Sequence, residues 1–87
     1  MKSATLPSFW TAYSALNSIA KKQAKKAYLL WADDPFYPSL HFKCINRQEG
    51  IWSARISLNY RAVGILDGDT VTWFWIGSHD KYKLFYS

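Results

Sequence analysis

The sequence predicts an α+β fold in which two N-terminal helices pack on a small antiparallel sheet of about four strands. Three observations carry this. Apolar residues recur at helical spacing through the first third of the chain. The run Asp33-Asp34-Pro35-Phe36-Tyr37-Pro38 then stops any helix, and four short runs rich in β-branched and aromatic residues follow it. At 87 residues the chain has the length of one domain, read as residues 1–87, and a two-domain reading is excluded. With 49% hydrophobic and 18% aromatic residues it is too apolar to be a disordered tail. A domain this small buries only roughly 60 to 65% of the surface its unfolded chain exposes, so a binding partner would add useful stability.

Pro7 suits a first helical turn, where its missing N–H has no intrahelical partner, and Phe9, Trp10, Tyr13 and Leu16 follow at helical spacing. The first helix is therefore expected from about Pro7 to Leu16. Asn17 or Ser18 can cap a second, with Ala20, Ala24, Ala27, Tyr28 and Trp31 on one face and the lysine pairs on another, ending near Asp33. The like charges at Lys21/Lys25 and Lys22/Lys26 oppose that helix slightly, so alanine propensity and packing must outweigh them.

The expected strands are Leu40–Ile45, Ile51–Ser57, Tyr60–Leu66 and Thr70–Ile76, with Gly50 in a turn. Asp67-Gly68 has the chemistry of a two-residue type I′ loop joining the last two. In that register Leu66 faces Asp69 and Arg61 faces Phe74. Arg61, Val63 and Ile65 then share a face with Thr72, Phe74 and Ile76, while Tyr60, Ala62 and Leu66 join Trp73 and Trp75. Helices can cover only one face. The other must bind something, be covered by the C-terminus, or expose aromatics, and the Arg61 face is expected to be this partly open one because a charge is costlier to bury.

The net charge of +5 sits on the first third: residues 1–32 hold Lys2, Lys21, Lys22, Lys25 and Lys26 and no acid, whereas six bases and six acids cancel in residues 33–87. An anionic partner and a solubilising face both fit that asymmetry. The single Cys44 allows no internal disulfide, no Cys/His spacing suits zinc, and no cofactor motif is present. Without a signal peptide or an apolar span, a soluble protein of a reducing cytoplasm, making no use of a membrane, is expected. No Gly-rich phosphate loop, zinc-binding helix motif or nucleophile elbow occurs, so ordinary metabolic enzyme classes lose ground. What remains are Lys43, Arg55, Arg61, His79, Lys81, Tyr82, Lys83 and Tyr86, a set able to bind a phosphodiester and, with a proton donor and acceptor, help to cleave it.

These residues lie in an order that resembles the RelE/ParE toxins of bacterial and archaeal type II toxin-antitoxin pairs. The resemblance runs from Leu-Pro-x-Phe-Trp and the basic second helix through Asp-Pro-x-x-Pro-Ser-Leu. It continues in Gly50-Ile51-Trp52-Ser53-Ala54-Arg55-Ile56 and Tyr60-Arg61-Ala62-Val63-Gly64, and ends in Trp75-Ile76-Gly77-Ser78-His79-Asp80-Lys81-Tyr82. It implies the same two-helix, antiparallel-sheet fold and a cognate antitoxin as partner. It also implies one of two activities: cleavage of mRNA on the ribosome by 2′-hydroxyl attack on the adjacent phosphate, without a metal, or inhibition of DNA gyrase by binding.

By the same resemblance, Arg61 is the arginine on the scissile phosphate, a role suited to a guanidinium that donates two hydrogen bonds; a structural pair with Asp80 is the alternative. His79 matches the C-terminal acid/base position, with a plain turn histidine as its alternative. Tyr82 or Tyr86 matches a tyrosine that orients the phosphate or stacks on a base, against a packing role. Lys43, Lys81 and Lys83 are RNA contacts or simply solvated, and strand alternation does not fix the face of Arg55. His41 is a possible second imidazole. Ribonuclease members commonly carry lysines, a glutamate or a histidine where this chain has Trp52, Ser53 and Ala54, so a second proton-transfer group is not identifiable; Glu49 beside Gly50 reads as a loop residue. The helix-two lysines face RNA, an acidic antitoxin or solvent. Trp73 and Trp75 stack on bases or, as large aromatics usually do, fill the core.

Overall fold

The computed structural model describes residues 1–86. Strand β1 (Lys2–Thr5) leads into helix α1 (Pro7–Ser14) and helix α2 (Ser18–Asp33), and a 3-10 turn at Pro38–Leu40 follows. Strands β2 (Lys43–Asn46), β3 (Ile51–Ser57), β4 (Tyr60–Asp67) and β5 (Thr70–Ser78) come next, and helix α3 (His79–Tyr86) closes the described chain. The sheet order is β1-β5-β4-β3-β2; each neighbouring pair from β2 to β5 is antiparallel and β1 runs parallel to β5. The expected α+β architecture is present, with a parallel strand β1 and a C-terminal helix α3 beyond what the sequence suggested.

Local chemistry accounts for the helix ends. Asn17 accepts the Ala20 N–H at 2.8 Å and caps α2, as expected, and the chain breaks before Pro35. Helix α1 ends at Ser14 rather than Leu16, because the chain must turn to present Asn17. Ala20, Ala24, Ala27 and Trp31 are the buried face of α2, whereas Tyr28, expected among them, is 47% exposed. Trp31 meets Phe42 and Trp73 edge-on, and Ala54, Ala62, Val71 and Ile76 complete the core between helices and sheet.

Three expectations about the strands need correction. Leu40 is buried in the 3-10 turn rather than in a strand, and β2 begins only at Lys43. The β4–β5 loop is Gly68-Asp69, with Asp67 paired to Thr70, not Asp67-Gly68. Its positive φ of 61° falls on Gly68 at the first loop position and none on Asp69, the type II′ pattern, so a glycine one place further along sets a different register. The pairing then shifts again between Val63 and Gly64: Gly64 faces Trp73, Val63 faces Trp75, and Phe74 is the extra residue. Beyond this bulge Arg61 faces Gly77, not Phe74. Ile76 joins Ala62 on the helix side and Trp75 joins Val63 on the other, the reverse of their expected faces.

Gly64 is needed where the strands close on each other. A Cβ there would stand 2.8 Å from Val71 Cγ1 and 3.0 Å from both the Thr72 carbonyl oxygen and the Trp73 ring. Gly64→Ala is expected to cost about 1 to 3 kcal/mol, read as a lower urea midpoint at unchanged m-value.

Candidate functional site

The sheet face opposite α1 and α2 carries the candidate residues. Cross-strand partners share a face, and the register pairs Lys43 with Ser53, Ser53 with Val63, and Arg55 with Arg61. Val63 and Ser53 are buried at 0% and 2% exposure although α1 and α2 lie on the other side. Helix α3 covers them. Ser78 caps it by accepting the Lys81 N–H at 3.2 Å, and the His79 N–H donates to the Asn59 carbonyl at 2.7 Å. The C-terminus thus folds over the second face, one of the three outcomes left open by the sequence.

Helical spacing places His79, Tyr82 and Tyr86 on the inner side of α3. The Tyr82 hydroxyl donates to Ser53 Oγ at 3.3 Å, and its ring lies 5.7 Å from the Arg61 guanidinium carbon and 5.9 Å from the His79 ring, to which it is nearly parallel. One buried ring therefore joins Arg61 and His79. The His79 Nδ1 is buried with no hydrogen-bond partner. Tyr86 packs on Trp75 at 5.4 Å, and burial raises its hydroxyl pKa. Tyr82→Phe keeps the ring but strips the buried Ser53 hydroxyl of its partner. It is expected to lose about 1 kcal/mol of stability in urea melts.

Arg55 and Arg61 stand directly opposite on adjacent strands. Like charges in that position repel unless something anionic lies between them. Among the described residues no carboxylate lies within 4.0 Å of either, and the one ion pair joins the N-terminal amine to Asp69 at 3.9 Å. Arg61 is therefore not paired with Asp80. Burial lowers its pKa from the ordinary arginine value; Tyr82 opposes that shift and the Arg55 charge adds to it. The guanidinium remains cationic and partly exposed, a preformed receptor for an anion.

The other candidates divide. Lys43 is exposed on the Arg61 face at the edge strand. Lys81 and Lys83 are exposed on α3, where helical spacing sets Lys83 beside the inner row and Lys81 on the outer side, away from it. His41, a minor candidate in the sequence, lies at Arg55, with Nε2 at 3.5 Å from Nη1. Glu49 is an exposed turn residue whose N–H donates to Asn46 Oδ1 at 3.0 Å. Trp73 is core, and Trp75 packs beneath Tyr86. Trp52 packs against the core. Sequence reasoning gave Ser53 no role beyond a departure from the ribonuclease pattern, yet its hydroxyl accepts from Tyr82. Among the described residues no group of three or more His, Cys, Asp or Glu could hold a metal.

No curated protein matches the chain in sequence. Solved structures share its fold. The toxin-antitoxin complex RelB-RelE from Methanococcus jannaschii superposes with a TM-score of 0.74 at 17% identity over 94% of this chain and 98% of that one. YafQ from E. coli strain BL21(DE3) gives 0.73 at 12% identity over 97% of each, and the YoeB/ParE toxin from Agrobacterium tumefaciens 0.69 at 19% over 91% and 99%. A family model, that of the ParE-like toxin domain, matches residues 18–83. That span runs from the first turn of α2 into α3 and takes in Arg55, Arg61, His79 and Tyr82, so the resemblance read from the sequence holds and the chain belongs to the ParE-like toxin family.

Proposed function

We propose that this toxin cleaves mRNA on the ribosome, using its own side chains and no metal, and is held in check by a cognate antitoxin. The observation that supports this best is the pair Arg55/Arg61, two arginines at opposed strand positions without a carboxylate, of which Arg61 is joined through the Tyr82 ring to an imidazole. In this reading Arg61 donates to the non-bridging oxygens of the scissile phosphate and stabilises the charge that builds there. The 2′-hydroxyl attacks phosphorus, its proton passes to His79, and the P–O5′ bond breaks as the 5′ oxygen takes up a proton from water. The products are a 2′,3′-cyclic phosphate and a 5′-hydroxyl end. Tyr82 fixes the relative placement of the two groups. Lys43, Arg55, Lys81, Lys83 and Tyr86 contact RNA.

The partner reading rests on charge and shape. An apolar groove of about 520 Å³ between α1, α2 and β1 is lined by Phe9, Trp10, Tyr13, Tyr28 and Leu29, with Lys25 beside them. Trp10 and Leu29 are 53% and 69% exposed. An acidic amphipathic segment of the antitoxin fits this groove, its carboxylates meeting the α2 lysines.

A second reading, inhibition of DNA gyrase by docking, is favoured by the ParE-like match and by the lack of an identifiable second proton-transfer group on β3. An in vitro translation reaction with mapped mRNA ends separates the two. New 5′-hydroxyl ends that appear only on translated message support cleavage. Intact message with a loss of supercoiling activity supports the gyrase reading and ends the first.

A further inference from the structure

The chain has a second basic recess, which shares Arg55 with the candidate cleavage site. Strand β2 pairs with β3 only as far as Ser53, which leaves the later part of β3 without a strand on that side. The C-terminal half of α2 and the 3-10 turn border the gap and enclose an open hollow of about 590 Å³. That volume lies within the range of small-ligand sites, roughly 300 to 1,000 Å³. Lys26, Leu30, Tyr37, Ser39, Arg55 and Ser57 line it, and no acidic residue does.

Two features place His41 beside Arg55 in this recess. His41 holds the left-handed conformation at φ 43°, the one non-glycine residue among those described with positive φ. Histidine is among the non-glycine residues that adopt this region most readily, and a left-handed residue is a common way to end a helical turn. That conformation ends the 3-10 turn and sets the imidazole Nε2 at 3.5 Å from Arg55 Nη1. Nε2 can accept from the guanidinium only with the ring neutral and its proton on Nδ1. In that tautomer the imidazole would orient the arginine without cancelling its charge. Arg55 therefore belongs to both places: it lines the hollow, and its Cα faces that of Arg61 at the roughly 5 Å spacing of a direct antiparallel pair.

We propose that this hollow binds the nucleotide adjoining the one at Arg61, its phosphate on Arg55 and Lys26 and its base against Tyr37, with His41 as the positioning residue for Arg55. The proposal rests on the RNA-cleaving reading and gives the strand its path across the protein. Tyr37 is 44% exposed and offers a face to a base, while Ser39 and Ser57 supply hydroxyls within the same hollow.

The test is an NMR titration of the full chain with two RNAs, a dinucleotide and a tetranucleotide, each carrying a 2′-deoxy sugar at the attacking position so that neither is cut. The tetranucleotide is expected to shift the amides of Tyr37, Ser39 and Ser57 together with those around Arg61, and to bind about tenfold more tightly than the dinucleotide, the order of one base–aromatic stack. Tyr37→Ala binds both RNAs alike, whereas Tyr37→Phe keeps the difference. Equal affinities for the wild type, with shifts confined to the surroundings of Arg61 and Tyr82, overturn the hollow and leave the cleavage reading standing. Binding of neither RNA, or shifts at Tyr37 and Ser39 with an acidic peptide alone, also overturns it; the mapped message ends then judge cleavage separately.

Discussion

Arg61→Ala is expected to slow message cleavage by roughly 10² to 10³-fold, the effect of removing one well-placed donor from a developing oxyanion. Single-turnover cutting of a defined message on programmed ribosomes measures it. The expected selectivity of the defect follows from the surroundings of the side chain. Arg61 has no carboxylate partner among the described residues, and its directly opposed neighbour is Arg55, so its removal strands no buried anion and relieves one repulsion. The variant should melt within about 1 kcal/mol of the wild type while growth arrest on induction disappears. Arg61→Lys keeps the charge without the two-pronged donor geometry and should recover only part of the rate. Full cutting by Arg61→Ala would remove the guanidinium from the mechanism.

The second large effect is on stability. Trp31→Ala is expected to cost about 3 to 5 kcal/mol, a large share of the roughly 5 to 15 kcal/mol by which small domains are stable. Trp31 is 2% exposed and meets Phe42 and Trp73 edge-on, so its loss opens a void at the junction of α2, the 3-10 turn region and β5. Equilibrium urea unfolding gives the number directly. If the variant is too unstable to purify alone, Trp31→Phe, which keeps part of the ring, should show a smaller loss of the same sign.

The helices and the β4–β5 hairpin were legible because their signals are local: Pro7 and Asn17 mark starts, Pro35 marks a stop, and glycine marks the hairpin. Arg61 was legible as the charge on the less covered face. The rest depended on contacts distant in sequence. β1 is four mostly exposed residues with no apolar alternation, and only its pairing with β5 makes it a strand. Helix α3 carries few helical markers, and its burial comes from Ser53, Arg61 and Trp75. The alliance of His41 with Arg55 depends on a turn conformation no spacing rule foresees.

The extra residue at Phe74 works as a phase shifter. Upstream of it β5 contributes Val71 and Trp73 to the interior; downstream the parity is inverted, so that Ile76 faces inward and Trp75 and Gly77 lie on the arginine side. The length of this strand is therefore constrained independently of its composition. Exchanging Phe74 for another residue leaves the count intact, but deleting it would turn the downstream side chains through to the wrong sides, exposing an isoleucine and driving an indole toward the interior.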